Sequence, residues 1–341
     1  MKKQILTVGF FLLSFVFPFR AIATSFDRIY VFGDSYSDDG NYYNYTESVL
    51  GTGFPPQPYY EGHLTNGPVW VEYLAQNLGF KPNPSTNFAT AGAASGLYNV
   101  IAPSSLPSLY LTGVLSQIDN FTDANQSVNP NALYIVSGGF NDLFSSNGTV
   151  DPNQPVTNIS TAVRSLAAVG AKNILVVNLP NLGDLPGTSN SPVSNQLNDS
   201  TAEYNASLAV SLNSLSQQLN GVNIVSLDVN SLFKQVSANP GQYGFTDVTG
   251  SCLGNSVLTA LPPSNISGVC NTDPSEAFFW DSIHPTTAAH AVIAESAFSV
   301  LKAESVPDPS AKLGMLVFGT LLAVSWHRRK QNPKKFAQTR K

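Results

Sequence analysis

The sequence predicts an α/β fold: a three-layer α/β/α sandwich around a doubly wound, mostly parallel sheet. Three observations point there. Four short apolar runs rich in branched residues lie at 28–32, 132–137, 173–178 and 223–227; helical periodicity fills stretches between them; and Gly, Asn, Asp or Pro follows each run at its carboxyl end. Near-continuous hydrophobicity is what strands buried on both faces require. In such sheets ligands bind outside the carboxyl ends of the strands.

The first run, RIYVF, leads into Gly33 and a polar turn. A helix is expected over 69–79 (VWVEYLAQNLG), the second strand over 132–137, and a helix over 161–171 before the third strand. A helix over 202–219 leads to the fourth strand, and a last helix spans 286–302. No internal repeat or linker interrupts 25–303, so one domain is expected, bounded at 24–304.

The two ends read differently from the middle. Residues 1–23 have the form of a secretory leader: Lys2 and Lys3, the apolar run ILTVGFFLLSFVFPF, then Ala21-Ile22-Ala23, with cleavage expected after Ala23. Residues 305–341 hold Val306-Pro307-Asp308-Pro309, the apolar stretch 313–326, and the basic run His327-Arg328-Arg329-Lys330. That arrangement resembles the PEP-CTERM sorting signal, with Asp308 where the family usually has Glu. The resemblance implies membrane passage through the tail before processing, a sorting protease as partner, and an extracellular or cell-surface domain.

Charge separates the same segments. Residues 25–300 hold five basic residues against 20 acidic ones, a formal charge of −15. Such a surface repels polyanions within about a Debye length, ~8 Å at physiological salt, so no nucleic-acid partner is expected. The two cysteines, Cys252 and Cys270, fall in one polar loop of an exported chain and are expected to form a disulfide.

Four local motifs fall at strand ends. Gly33-Asp34-Ser35-Tyr36-Ser37-Asp38 puts a serine on a strand-to-loop turn, with backbone N–H groups following it. Asp281-Ser282-Ile283-His284-Pro285 places a carboxylate three residues before a histidine, where it can accept the Nδ1–H and leave Nε2 free to take a proton. Gly138-Gly139-Phe140-Asn141-Asp142 and Asn87-Phe88-Ala89-Thr90-Ala91-Gly92-Ala93 supply the glycine N–H and asparagine amide donors that stabilise a developing oxyanion. Each motif alone also reads as an ordinary turn.

In this order, the four motifs resemble the sequence blocks of the GDSL, or SGNH, hydrolases, and the resemblance spans 28–302. It implies Ser35 as nucleophile, Asp281 and His284 as its partners, and an oxyanion hole from Ser35, Gly92 and Asn141. Tyr36 stands where the family's name has leucine, and NGPVWVEYLAQNLG at 66–79 is similar to the lipase-like branch.

The implied reaction is two-step acyl transfer, with attack by Ser35, release of the alcohol, and hydrolysis of the acyl-enzyme by water activated at His284. No metal or cofactor is required. No Gly-x-Ser-x-Gly elbow, His-Glu-x-x-His pair or phosphate-binding glycine loop is present. His290 reads as a packing or surface residue, Asp34 and Asp142 as turn holders, Asp38 and Asp39 as turn or cap residues, and His63 as a loop residue with a substrate wall as its alternative. The substrate is expected to be a small-molecule, lipid or acylated-glycan ester; chain length and oligomeric state are not specified. A catalytically idle surface module on the same fold is the competing reading, and a broken triad would be its mark.

Overall fold

Ile29–Phe32 (β1), Leu133–Ser137 (β2), Asn173–Val177 (β3) and Asn223–Leu227 (β4) form one parallel sheet in the order β1-β2-β3-β4. The computed structural model describes residues 26–101, 111–254, 270 and 273–305. The expected leader at 1–23 and, apart from Ser305, the expected sorting segment at 305–341 lie outside the described residues. The strands start in line, Ile29 opposite Leu133, Leu133 opposite Asn173 and Asn173 opposite Asn223, so their carboxyl ends form one edge. On the other side of β1, Asn87 bridges Val31 in parallel, and Phe88 donates its N–H to the Val31 carbonyl at 2.8 Å. The chain therefore steps to one side of β1 and then to the other. That reversal puts the topological switch point at the carboxyl end of β1, where Ser35 sits.

Helices flank the sheet. Val114–Ala124 (α3), Asn153–Ala168 (α5) and Ser194–Gln218 (α6) provide the crossovers, while Trp70–Asn77 (α2) and Thr287–Ser305 (α8) cover the sheet through Trp70, Leu74, Ala289 and Ile293. Asn41–Leu50 (α1), Phe140–Ser145 (α4) and Val229–Ala238 (α7) complete the helices of the described residues. The four strands coincide with the expected runs to within a residue. The helix expected at 161–171 instead starts at Asn153, because Pro155 lies in the first turn, where its missing N–H costs nothing.

A short parallel pair, Asp247–Ser251 (β5) and Ala277–Phe279 (β6), lies beside this sheet. Around it a second apolar cluster gathers Tyr42, Phe54, Tyr59, Leu64, Leu253 and Trp280. Cys252 and Cys270 form the expected disulfide within it.

Candidate active site

The turn after β1 is held from three directions. The Gln117 amide of α3 accepts from the Gly33 N–H and donates to the Gly33 carbonyl, both at 2.9 Å, and Thr90 N–H gives that carbonyl a second bond at 3.0 Å. Asp34 accepts from Tyr36 N–H at 3.1 Å, as a turn holder does. Burial raises its carboxyl from the ordinary 3.8 to about 6. Asp38 caps α1, accepting from Gly40, Asn41 and Tyr42, and its second oxygen accepts from Ala91 N–H at 2.7 Å. Asn87 reaches back to the Ser37 carbonyl at 2.7 Å. The serine turn and the 87–93 loop are thus stitched together.

β6 delivers the opposite wall. Trp280 N–H donates to the His284 carbonyl and Thr286 N–H to the Phe278 carbonyl, both at 2.8 Å, closing a tight loop. Inside it, Asp281 Oδ1 accepts from Ile283 N–H at 2.9 Å and His284 N–H at 2.8 Å. The carboxylate is fully buried. Its Oδ2 lies 2.7 Å from His284 Nδ1, and His284 Nε2 lies 2.9 Å from Ser35 Oγ. In the tautomer with the proton on Nδ1, that N–H donates to the carboxylate and Nε2 presents its lone pair to the serine hydroxyl. An imidazole held this way can take the proton of an attacking serine. Tyr36 braces the junction, donating to the Ile283 carbonyl at 2.5 Å, with its ring 5.9 Å from that of His284.

The other two motifs close on the same corner. Asn141, in the first turn of α4, donates through Nδ2 to the Ala93 carbonyl at 2.9 Å, which leaves its second amide hydrogen available. Gly92 has φ +77°, and among the described residues neither its N–H nor that of Ser35 has a protein acceptor. Asp142 accepts from Ser95 N–H at 2.8 Å and Ser95 Oγ at 2.7 Å, tying this turn to the residues after Gly92.

Four of the motif residues, Ser35, Gly92, Asp281 and His284, lie on loops, and the fifth, Asn141, lies in the first turn of α4, just after the carboxyl end of β2. Gln117 and Tyr59 also touch this site, and no local pattern announces either one. His63 is buried and bonds Glu72 at 3.1 Å, so it braces the head of α2. Burial pulls its pKa down, but the Glu72 contact outweighs that and the net direction is upward. His290 is a packing residue of α8, buried with its ring 6.3 Å from Tyr36 and its pKa depressed by burial to about 3. No cluster of three or more metal-ligating side chains occurs among the described residues.

The sequence profile of the family described as GDSL-like Lipase/Acylhydrolase matches residues 29–297. A GDSL esterase/lipase of Arabidopsis thaliana is 29% identical over 323 residues, covering 79% of this chain and 87% of that protein. The phosphatidylcholine-sterol acyltransferase of Aeromonas hydrophila is 28% identical over 318 residues, covering 82% of this chain and 91% of that protein. Among solved structures, the native aryl esterase of M. smegmatis aligns with a TM-score of 0.45 at 15% identity, over 82% of this chain and 99% of that one. With a profile match that runs from β1 into α8, the chain belongs to the GDSL-like lipase/acylhydrolase family and is a carboxylic ester hydrolase.

Proposed function

We propose that this protein is an exported serine hydrolase that cleaves carboxylic esters through an acyl-enzyme on Ser35. The observation that carries the reading is the continuous contact from Ser35 Oγ to His284 Nε2 at 2.9 Å and from His284 Nδ1 to Asp281 Oδ2 at 2.7 Å. Ser35 Oγ attacks the ester carbonyl as His284 takes its proton, and the carbonyl π electrons move to oxygen. The N–H groups of Ser35 and Gly92 and the Asn141 amide receive that oxyanion. Its collapse expels the alkoxide, which takes the proton from His284; a water then gives a proton to the same imidazole as it attacks the acyl carbonyl, and collapse of that second intermediate breaks the bond to Ser35 Oγ, which recovers the proton from His284 as the acid leaves. Asp281 keeps the tautomer and faces the imidazolium.

Export is supported by the leader pattern of residues 1–23 and by a disulfide that an oxidising compartment preserves. Passage through the membrane by the C-terminal apolar segment, removed or retained by a sorting protease, belongs to the same proposal. An apolar acyl group is favoured by Leu97 and Tyr98, 63% and 58% exposed, on the loop that follows Gly92. The relative named for phosphatidylcholine and sterol agrees with a lipid ester.

The test compares the purified protein with its Ser35→Ala form on p-nitrophenyl esters of rising chain length and on an acetylated sugar. The expected outcome is ester cleavage that falls by at least about 10³-fold in Ser35→Ala and favours the longer acyl chains. Full activity without Ser35 would reject the mechanism, and preference for the acetylated sugar would reject the lipid assignment.

A further inference from the structure

Asp281 receives four hydrogen bonds, and only three come from its own loop. Ile283 N–H and His284 N–H occupy Oδ1, and His284 Nδ1 occupies Oδ2. The fourth arrives from 222 residues away: the Tyr59 hydroxyl donates to Oδ2 at 2.8 Å. Tyr59 is 2% exposed, and its ring packs edge-on against Trp280 at 6.3 Å. Burial, and then the charge on Asp281, hold the phenol far above its ordinary pKa, so it remains a donor at every working pH.

Two donors therefore share the oxygen that faces His284. A hydrogen bond to a carboxylate stabilises its charge where it lies and leaves less of it to attract another cation. Orientation is less affected, because two backbone N–H groups still clamp Oδ1.

We propose that Tyr59 is a positioning residue of the ester hydrolase: its hydroxyl, by sharing Asp281 Oδ2 with His284, moderates the carboxylate's pull on the imidazolium and keeps His284 free to act as base at lower pH. This inference rests on the Ser35, His284 and Asp281 mechanism proposed above. The remaining titratable groups that face the imidazole are Asp34 on the serine turn, Tyr36, and His290 of α8. Burial keeps His290 uncharged, and Tyr59→Phe leaves all three in place.

The experiment measures kcat/KM against pH for the wild-type protein, Tyr59→Phe and Ser35→Ala, with far-UV circular dichroism on each. Phenylalanine keeps the ring against Trp280 and deletes the donor. The expected result is an acid limb moved upward by about half to one pH unit, a roughly threefold to tenfold loss of kcat/KM below that limb, and little change on the alkaline plateau. A structural role alone would lower the whole profile without moving its midpoint. That outcome, or an unmoved limb, would overturn the inference while an inactive Ser35→Ala leaves the serine mechanism standing. Activity surviving in Ser35→Ala would instead reject the mechanism. Should Tyr59→Phe fail to fold, 3,5-difluorotyrosine placed at position 59 gives the opposite test. It is a stronger donor of similar shape, and the limb should then move down; no movement would again overturn the proposal.

Discussion

Asn141 shows how one side chain joins two loops. Its amide donates one hydrogen to the Ala93 carbonyl, which fixes the plane of the amide beside Gly92 and points the other hydrogen away from that bond. Gly92 is constrained from its own side: at φ +77°, an added Cβ would lie 2.5 Å from Ile101 Cγ1 and 2.6 Å from Asn99 Oδ1. As a proposed oxyanion donor, Asn141 should govern turnover more than binding. Asn141→Ala is expected to lower kcat by about 10²–10³-fold with a far smaller change in KM, read by steady-state kinetics. A loss confined to KM would remove Asn141 from the oxyanion role. Ser35, Asp281 and His284 were singled out in the sequence only by the order of the four motifs and its resemblance to the family, since each motif alone reads as a turn; the structure places His284 within hydrogen-bond distance of both Ser35 and Asp281. Gln117 and Tyr59 were not singled out. Each reaches its partner across 84 and 222 residues respectively, and neither residue type has a spacing that marks it.

Among the elements, the strands were read to within a residue because β1, β2 and β3 are almost wholly buried and read as apolar runs, while β4, with Asn223 and Ser226 exposed, still carries Ile224, Val225 and Leu227. The helices were read less well. α1 has the polar and aromatic sequence NYYNYTESVL and is fixed chiefly by the Asp38 carboxylate at its start, a tertiary feature that periodicity does not carry. α6 begins eight residues ahead of expectation, in the polar stretch SNQLNDST, whose only deeply buried apolar side chain is Leu197. The junction of α1 with α2 also concentrates carboxylates. Asp39 is raised from 3.8 to about 7 by burial first, then by the charges of Asp38 and Glu72. A carboxyl raised in the folded state gives stability that is fully present below its unfolded value of about 3.8 and is lost as pH rises through about 7. Asp39→Asn should therefore be more stable than the wild-type protein at pH 8, with the difference shrinking toward pH 4. Urea midpoints at the two pH values test this. Asp38 and His63 stay in both proteins but interact with the Asp39 charge, so the difference reports the ionisation of Asp39 together with its coupling to these two neighbours. An equal difference at both pH values would show that the ionisation of Asp39 is not its source.

On the scale of the whole molecule, the site is assembled from two cores with different supports. The parallel sheet and its helices share one apolar cluster, which holds the Ser35 turn through Gln117 and the strand edge. The loop bearing Asp281 and His284 straddles both: Ile283, with Phe278 and Phe279 of β6, packs in the first cluster, and Trp280 packs in the second, which contains Tyr59 and the disulfide. Cys252 N–H donates to the Phe279 carbonyl at 3.1 Å and Leu253 N–H to the Trp280 carbonyl at 2.8 Å, so the cross-link ends one hydrogen bond from the acidic loop. A disulfide separated by 18 residues restricts the unfolded chain by ~3 kcal/mol in the loop-entropy treatment. Both cysteines belong to the smaller cluster, so loss of the cross-link is expected to act there before it acts on the sheet. Cys252→Ser/Cys270→Ser should thus lose activity at a lower urea concentration than it loses its far-UV helix signal, whereas the oxidised protein should lose both together. Following both signals through one titration tests the division. Coincident transitions in both proteins would mean that the two cores unfold as one unit and that the disulfide stabilises the whole domain rather than the wall that carries His284.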